Sequence, residues 1–475
     1  MTVAPYQSSL FKRCKEIHAF LSDCQRQATY AQHAKLANIT LPINPIEPWL
    51  ALQQLETTYP IHFYYSTAKY TLLGLGINIA QKATGADRFE RMQQFVSVWK
   101  RRILSSNQTR LIIKPYFLCG FTFFDQAAAN SLFDAAQVFV PQLQILQRDG
   151  KTAVSLNYLI DDDVNINRLV DEIRQQLQTL ENVSKKTAHQ TFVDIPNASK
   201  APKVIRDVGN FENMVSSVLP ALKHPTLHKV VLADALDVLS ASPFHIPDSL
   251  KALGLAYSDC CIFSLSNGQG QVFMGASPER LLSITTATDK KQLTTDALAG
   301  SAPRGNTVQN DQLMAQQLLN NPKERYEHQV VVEFIIEQLT QLGLKPELAD
   351  SPQVLKLANI QHLHTPIQAD LPQGLKPLHL VKILHPTPAV AGLPRPTASQ
   401  LLRTTESFDR ELYASPIGWI DANGNSEFIV GIRSALIDGR QARLFAGAGI
   451  VAQSDPRREL AEVKLKLQAL LGALV

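Results

Sequence analysis

Lys323-ERYEHQVVVEFIIEQ-Leu339 reads as one amphipathic helix, because apolar Val331, Phe334, Ile335 and Leu339 recur at i, i+3, i+4 and i+8 and mark a buried stripe. Glu327 stands four residues before Val331 and projects from that stripe one turn earlier, with Glu324 three residues further back on the same side. Two carboxylates entering a core face need a partner, since an unpaired buried charge is very costly. A second helix repeats the device near the end of the chain. In Asp455-PRRELAEVKLKLQAL-Leu471, Val463, Leu467, Leu470 and Leu471 form the stripe while Glu459 and Glu462 stand at i and i+3. Two such pairs without cysteine nearby suit a hard, oxygen-loving cation such as Mg²⁺. Attraction of Glu to helix N-termini explains the same spacing without a metal.

Outward from these helices the chain is rich in short strands and glycine motifs. Ile262–Ile284 gives a hairpin with its turn at Asn267-Gly268 and ends in Ala276-SPERL-Leu282, which puts Glu279 just after a proline. Leu298-AGSAPR-Gly305 and Phe445-AGAGI-Val451 read as small-residue turns whose backbone N–H groups can approach an anion. His385–Pro396 (HPTPAVAGLPRP) is too proline-rich for regular structure and reads as a shaped loop. Arg433, in the strand EFIVGIRSAL, fits either face. Phe211–Leu222 is helical in pattern, and His228–Leu239 is an apolar strand. A polar stretch over Thr285–Lys291 leads to a further strand.

The first 200 residues suggest a twisted sheet with helices on it. A helix is expected from Ser8 to about Lys35 and another over Arg88–Leu104; strands are expected from Ile61, from Tyr70 (YTLLGLGINI) and from Arg110 (RLIIKPYFLCGFTFF). No catalytic constellation stands out there. Asn182–Asp207 is polar and turn-rich, and reads as a surface connection inside one large domain.

Composition limits what the protein can be. In 475 residues, 46 Lys+Arg against 42 Asp+Glu leave a charge of only +4, with no basic block or stripe, so nucleic acid is not expected as a partner. Five cysteines without a CxxC pair fit reduced thiols in a cytoplasm. No apolar run approaches the roughly 18 residues of a membrane span, and the N-terminus lacks the apolar core of a signal peptide.

Taken in order, ASPERLL, LAGSAPRG, KERYEH, QHLHTPI, HPTPAVAG, FDRELYASPIGW, IRSA, FAGAGIV and RELAEVKLK resemble the chorismate-utilising enzymes. The resemblance is strong over Phe211–Leu471; more weakly, PYFLCGFTFFD resembles the N-terminal half of the isochorismate synthases. It implies an α+β fold of the anthranilate synthase component I type, an antiparallel sheet core flanked by helices. The chain then forms one large domain, with a variable half over 1–205 and a chorismate-binding half over 206–475. Glu327 and Glu462 match the family's Mg²⁺ ligands, and Glu324 and Glu459 match carboxylates that lean on the same ion. Among the family's branches, Lys229 stands where isochorismate and salicylate synthases carry a water-activating lysine. Ala299 stands where aminodeoxychorismate synthases carry a nucleophilic one.

By this resemblance the substrate is chorismate, Lys229 is the base and Glu279 the acid. Both roles require proton affinities moved toward neutrality, Lys229 down and Glu279 up. Arg433 suits the enolpyruvyl carboxylate, assisted by Tyr413, Gly447 and Gly449; Gly300 and Ser301 line the ring, His362 orients the substrate, and Lys466 balances the carboxylates. No amidotransferase subunit is expected, and the resemblance implies a monomer or weak homodimer. A salicylate synthase and a non-catalytic chorismate-binding protein are the alternatives. Asp234 departs from the family's basic residue and is expected on the surface, and His364 stands two residues from His362 where relatives often carry a small residue.

Overall fold

The computed structural model describes residues 5–106, 114–189, 204–208, 210–224, 226–287 and 290–474. Its strands assemble into two large sheets, of 13 and ten strands among the described residues. Neighbouring strands run antiparallel, apart from Lys35–Pro42 beside Ile103–Ser105, which pair in parallel. Helices flank the sheets, as the α+β reading expects.

Both sheets continue across the boundary between the two halves of the chain. In the larger sheet, Cys261–Ser266 pairs with Gln271–Ser277 on one side and with His62–Ser66 on the other. In the smaller, Pro416–Asp421 lies between Ser426–Val430 and Tyr116–Phe121. The sheets pack face to face: Leu118 of the smaller lies over Gly74 of the larger, and Leu265 of the larger over Gly120 of the smaller. Glu427 ties them together, accepting hydrogen bonds from the Tyr65 and Tyr70 hydroxyls at 3.1 and 3.2 Å. A continuous hydrophobic core, from Cys14 to Leu474, follows from this packing. All five cysteines are free and buried.

Several local expectations need correction. The first helix is Pro5–Ala31; Gln32 takes a left-handed φ of 52°, and Lys35 opens a strand instead. The Arg88 helix ends at Lys100, and Ile103–Ser105 joins the larger sheet. YTLLGLGINI is two strands in two sheets, Tyr70–Leu75 and Ile79–Ala83, because Gly76 turns the chain at φ 66°. The strand expected from Arg110 is Tyr116–Phe121, and residues 110–113 lie outside the described set. The polar stretch from Asn182 begins as the end of the helix Ile166–His189 and finishes in the strand Val204–Asp207, with 190–203 outside the described residues. LAGSAPRG and FAGAGIV are not turns: they belong to the long strands Lys290–Pro303 and Gln441–Ile450, where small residues permit close approach rather than reversal. The proline-rich segment is largely irregular, but Gly392–Leu393 pairs with Val230 and Lys229, and a helix starts at Arg395. Asp234 is 3% exposed rather than on the surface, because the strand Lys229–Leu239 is covered on both faces.

Candidate active site

Four strands and two helices meet around one cavity of about 80 Å³, room for a few waters. Lys229–Leu239 and Gln441–Ile450 pair antiparallel with Val231 opposite Gly449 and Ala233 opposite Gly447. Lys290–Pro303 and Ile360–Leu371 pair with Ser301 opposite His362. The helices Pro322–Gln341 and Pro456–Leu471 face the cavity from their second turns, through Glu327 and Glu462. Each starts with proline and is capped: Asn321 accepts from the Lys323 and Glu324 N–H groups, and Asp455 from that of Arg458. Of the residues expected at the site, Glu279, Gly300, Ser301, Glu327, His362, Tyr413, Arg433, Gly447, Gly449, Glu462 and Lys466 line the cavity. Lys229, Glu324 and Glu459 sit just behind that wall.

Lysines stand between the carboxylates. Lys229, fully buried, places Nζ 2.9 Å from Glu327 Oε1, a contact without hydrogen-bond alignment that leaves its donors unspent. Lys466 Nζ lies 2.7 Å from Glu462 and donates to the Gly447 carbonyl at 2.8 Å. Lys323 bridges Glu459 at 2.8 Å and Glu324 at 3.4 Å. Burial pulls Lys323 down, but Glu324 and Glu459 lift its ammonium above the ordinary lysine range. Lys323 was not anticipated from sequence, although it adjoins Glu324 in KERYEH.

The glycines are structural requirements. A Cβ on Gly449 would fall 2.1 Å from Glu327 Oε1 and 2.8 Å from Lys229 Cε. Gly300, at φ 76°, makes a bulge between Ala299 and Ser301, and the Ser301 N–H then donates to Glu324 Oε2 at 2.8 Å.

Glu279 is buried. Burial raises its carboxyl from the ordinary 4.5 to about 8; Lys229 and Lys466 oppose the rise and Asp296 adds to it. A polar chain crosses the cavity beside it. Arg433 Nη2 donates to His362 Nε2 at 2.7 Å, so His362 carries its proton on Nδ1 and shares it with Ser301 Oγ at 3.0 Å. The Ser301 hydroxyl in turn bonds Glu462. Burial, with Arg433 and Lys466, holds His362 well below the usual histidine range and therefore neutral. Arg433 faces the core, and its Nη1 is buried without a hydrogen-bond partner among the described residues. His364 takes no part in the cavity wall; it pairs with Asp296 at 3.1 Å.

The carboxylates also fit a hard divalent cation by their chemistry. Burial first, then Glu327, lifts Glu324 above the ordinary carboxylate range; burial likewise lifts Glu459, against the pull of Lys323. Burial would lift Glu462 too, but Lys466 and Ser301 bring it below the usual value. An excess of buried anionic oxygen is what such an ion relieves. In the present arrangement no three Asp, Glu, His or Cys side chains among the described residues are grouped at ligating distance.

The chorismate-binding enzyme model matches residues 19–475. The chain belongs to that family. The salicylate biosynthesis isochorismate synthase of Pseudomonas aeruginosa is 40% identical over 56% of this chain, so the chain matches only 54% of that relative's length. Isochorismate synthase MenF of Bacillus subtilis is 30% identical over 89% of this chain and 92% of its own. The structure of the menaquinone-specific isochorismate synthase MenF from Escherichia coli superposes with a TM-score of 0.72 at 26% identity, covering 93% of this chain and 95% of that one. Anthranilate synthase component I from Streptococcus pneumoniae shares the fold alone, at 17% identity and a TM-score of 0.64 over 85% of this chain and 92% of that one.

Within this family fold, the residues that sequence did not single out act from behind the site. Arg410 donates to the Val231 and Val390 carbonyls and pairs with Glu406, which accepts from the Ala233 N–H at 2.8 Å. This buried pair holds the Lys229 strand against the 385–396 segment. Arg410 lies within the family motif FDRELY and Glu406 two residues before it, but nothing in their spacing marks them as partners of a distant strand.

Proposed function

We propose that this chorismate-binding enzyme is an isochorismate synthase, converting chorismate reversibly to isochorismate with Mg²⁺. The observation that carries the reading is the pairing of a fully buried Lys229 with a Glu279 whose carboxyl keeps its proton to about pH 8. A base must take a proton while an acid gives one, so in this reading Lys229 first releases the proton it holds beside Glu327. Lys229 accepts a proton from water as the hydroxyl adds at C2, and Glu279 protonates the C4 hydroxyl, which leaves as water. One water enters and one departs, so the atoms balance.

Binding and orientation fall to the rest of the wall. The unspent Arg433 nitrogen suits a substrate carboxylate, and neutral His362, fixed by Arg433 and Ser301, presents a single tautomer. Tyr413 brings its hydroxyl close to Gly447, where burial keeps the phenol protonated. Magnesium held by Glu327 and Glu462, with support from Glu324 and Glu459, would neutralise the ring carboxylate and draw charge from the diene. Ala299 supplies no amine in the LAG motif for a covalent route.

The test is product analysis by chromatography with mass detection on purified protein, chorismate and Mg²⁺, with and without chelator. A chelator-sensitive isomer of unchanged mass supports the proposal. Salicylate with pyruvate, formed faster than chorismate breaks down unaided, would assign the salicylate synthase reaction. Bound chorismate without turnover would make the protein a non-catalytic member.

A further inference from the structure

A second, much larger cavity of about 1260 Å³ lies where the helix Arg88–Lys100, the strand residues Thr286, Lys290 and Lys291 and the start of the helix Pro377–Leu384 come together. Among the described residues its lining carries six cations, Lys100, Arg101, Lys290, Lys291, Lys345 and Lys376, against two acids, Glu347 and Asp370. Among the described residues none of these eight side chains forms an ion pair.

Two ammonium groups converge on one point. A Cβ built on Gly424 would lie 2.9 Å from Lys291 Nζ and 3.3 Å from Lys100 Nζ, so the two nitrogens approach the same small space. The nearby carboxylate of Asp421 is spent on its own turn, accepting from the Asn423 and Asn425 N–H groups and the Asn425 amide. Among the described residues Lys291 bonds the Asn423 carbonyl, at 3.3 Å, and Lys114 the Asn423 side chain. Lys100 is correspondingly held below the ordinary lysine range, by burial first and then by Lys291, with Lys376 and Lys114 adding and Asp421 opposing. Lys376 stands at the N-cap of Pro377–Leu384 without a side-chain cap, adding the positive end of a helix to the same wall. Leu344, Leu371, Leu375 and Ile420 give the groove an apolar floor.

We infer that this groove is a binding site for a small molecule carrying at least two phosphate or carboxylate groups, with the first anionic group seated between Lys100 and Lys291. Like charges gathered in a concave, half-buried site repel one another, and a multivalent anion is the ligand that removes the repulsion. The site is separate from the chorismate cavity, sharing no lining residue with it. It does border the far ends of elements that serve that cavity: Lys290–Pro303 runs from the groove to Ser301, and Ile360–Leu371 runs from His362 to the groove. The inference concerns binding and does not depend on the proposed reaction.

Calorimetric titration with inorganic pyrophosphate, and separately with citrate, tests it at low salt on the full chain, freed of divalent metal by passage over a chelating resin. One equivalent should bind, and the Lys100→Gln, Lys291→Gln double variant should bind at least ten-fold more weakly while melting no lower than wild type. Preference for pyrophosphate would assign a phosphorylated ligand, and preference for citrate a polycarboxylate. Undiminished affinity in the double variant would overturn the inference. So would an equal loss in Lys466→Met, which places the anion in the chorismate cavity instead.

Discussion

Replacing Glu279 with Gln separates its chemistry from its place in the fold. The carboxyl is 3% exposed and stays protonated to about pH 8, so at neutral pH the amide is nearly isosteric and carries the same charge. Gln cannot give a proton to a departing hydroxyl, and loss of a general acid costs about 10²- to 10⁴-fold in turnover. The effect on stability has the opposite sign. Because the folded value lies above the unfolded one, Glu279 favours the fold fully below pH 4.5, and that contribution is lost as pH rises toward 8. At about 1.4 kcal/mol per pH unit, the interval from 4.5 to about 8 amounts to roughly 5 kcal/mol that Gln does not forfeit. Thermal melts of wild type and Glu279→Gln should therefore agree near pH 4.5 and diverge with rising pH, the variant melting higher by pH 8.5. Turnover at pH 7, followed by isochorismate formation, should meanwhile fall by at least 100-fold. A variant that keeps a tenth of wild-type turnover, or a melting difference that ignores pH, would refute the reasoning.

Other outcomes follow from the same geometry. Lys229→Met should reduce turnover by about 10²-fold or more and leave Glu327 without its cation, lowering the melting temperature; both are read in parallel assays. Gly449→Ala forces a methyl to within 2.1 Å of the Glu327 carboxylate, so turnover should be nearly lost while circular dichroism stays unchanged. Arg433→Lys keeps the charge but loses the fork, and steady-state kinetics should show KM for chorismate raised at least ten-fold. Glu462→Gln should weaken Mg²⁺ binding measured by calorimetry without substrate, and wild-type turnover should vanish with chelator and return with added Mg²⁺.

Helix phase and motif order carry most of this site in the linear chain. Glu324 and Glu327, like Glu459 and Glu462, can be placed on inward faces because a 3.6-residue period fixes where side chains point relative to Val331 and Val463. The apolar pattern likewise gives the hairpin at Asn267-Gly268 and the strand read from His228, which begins one residue later. Tertiary packing decided the rest. Local pattern leaves Arg433 ambiguous between two faces; a φ of 49° and the partnership with His362, 71 residues away, turn it inward. Asp234 is buried because strands and helices distant in sequence cover its strand. The glycines of LAGSAPRG and FAGAGIV look like turn residues in isolation. Only once Glu324 and Glu327 are brought against Gly300 and Gly449 does their lack of a Cβ become a requirement of the site. Side-chain direction along one helix or strand is set by local backbone geometry, and so it is written in the sequence. Burial, ion pairing and the proton affinity of Glu279 depend on which distant segments share its surroundings, and those are fixed only when the two sheets close on each other.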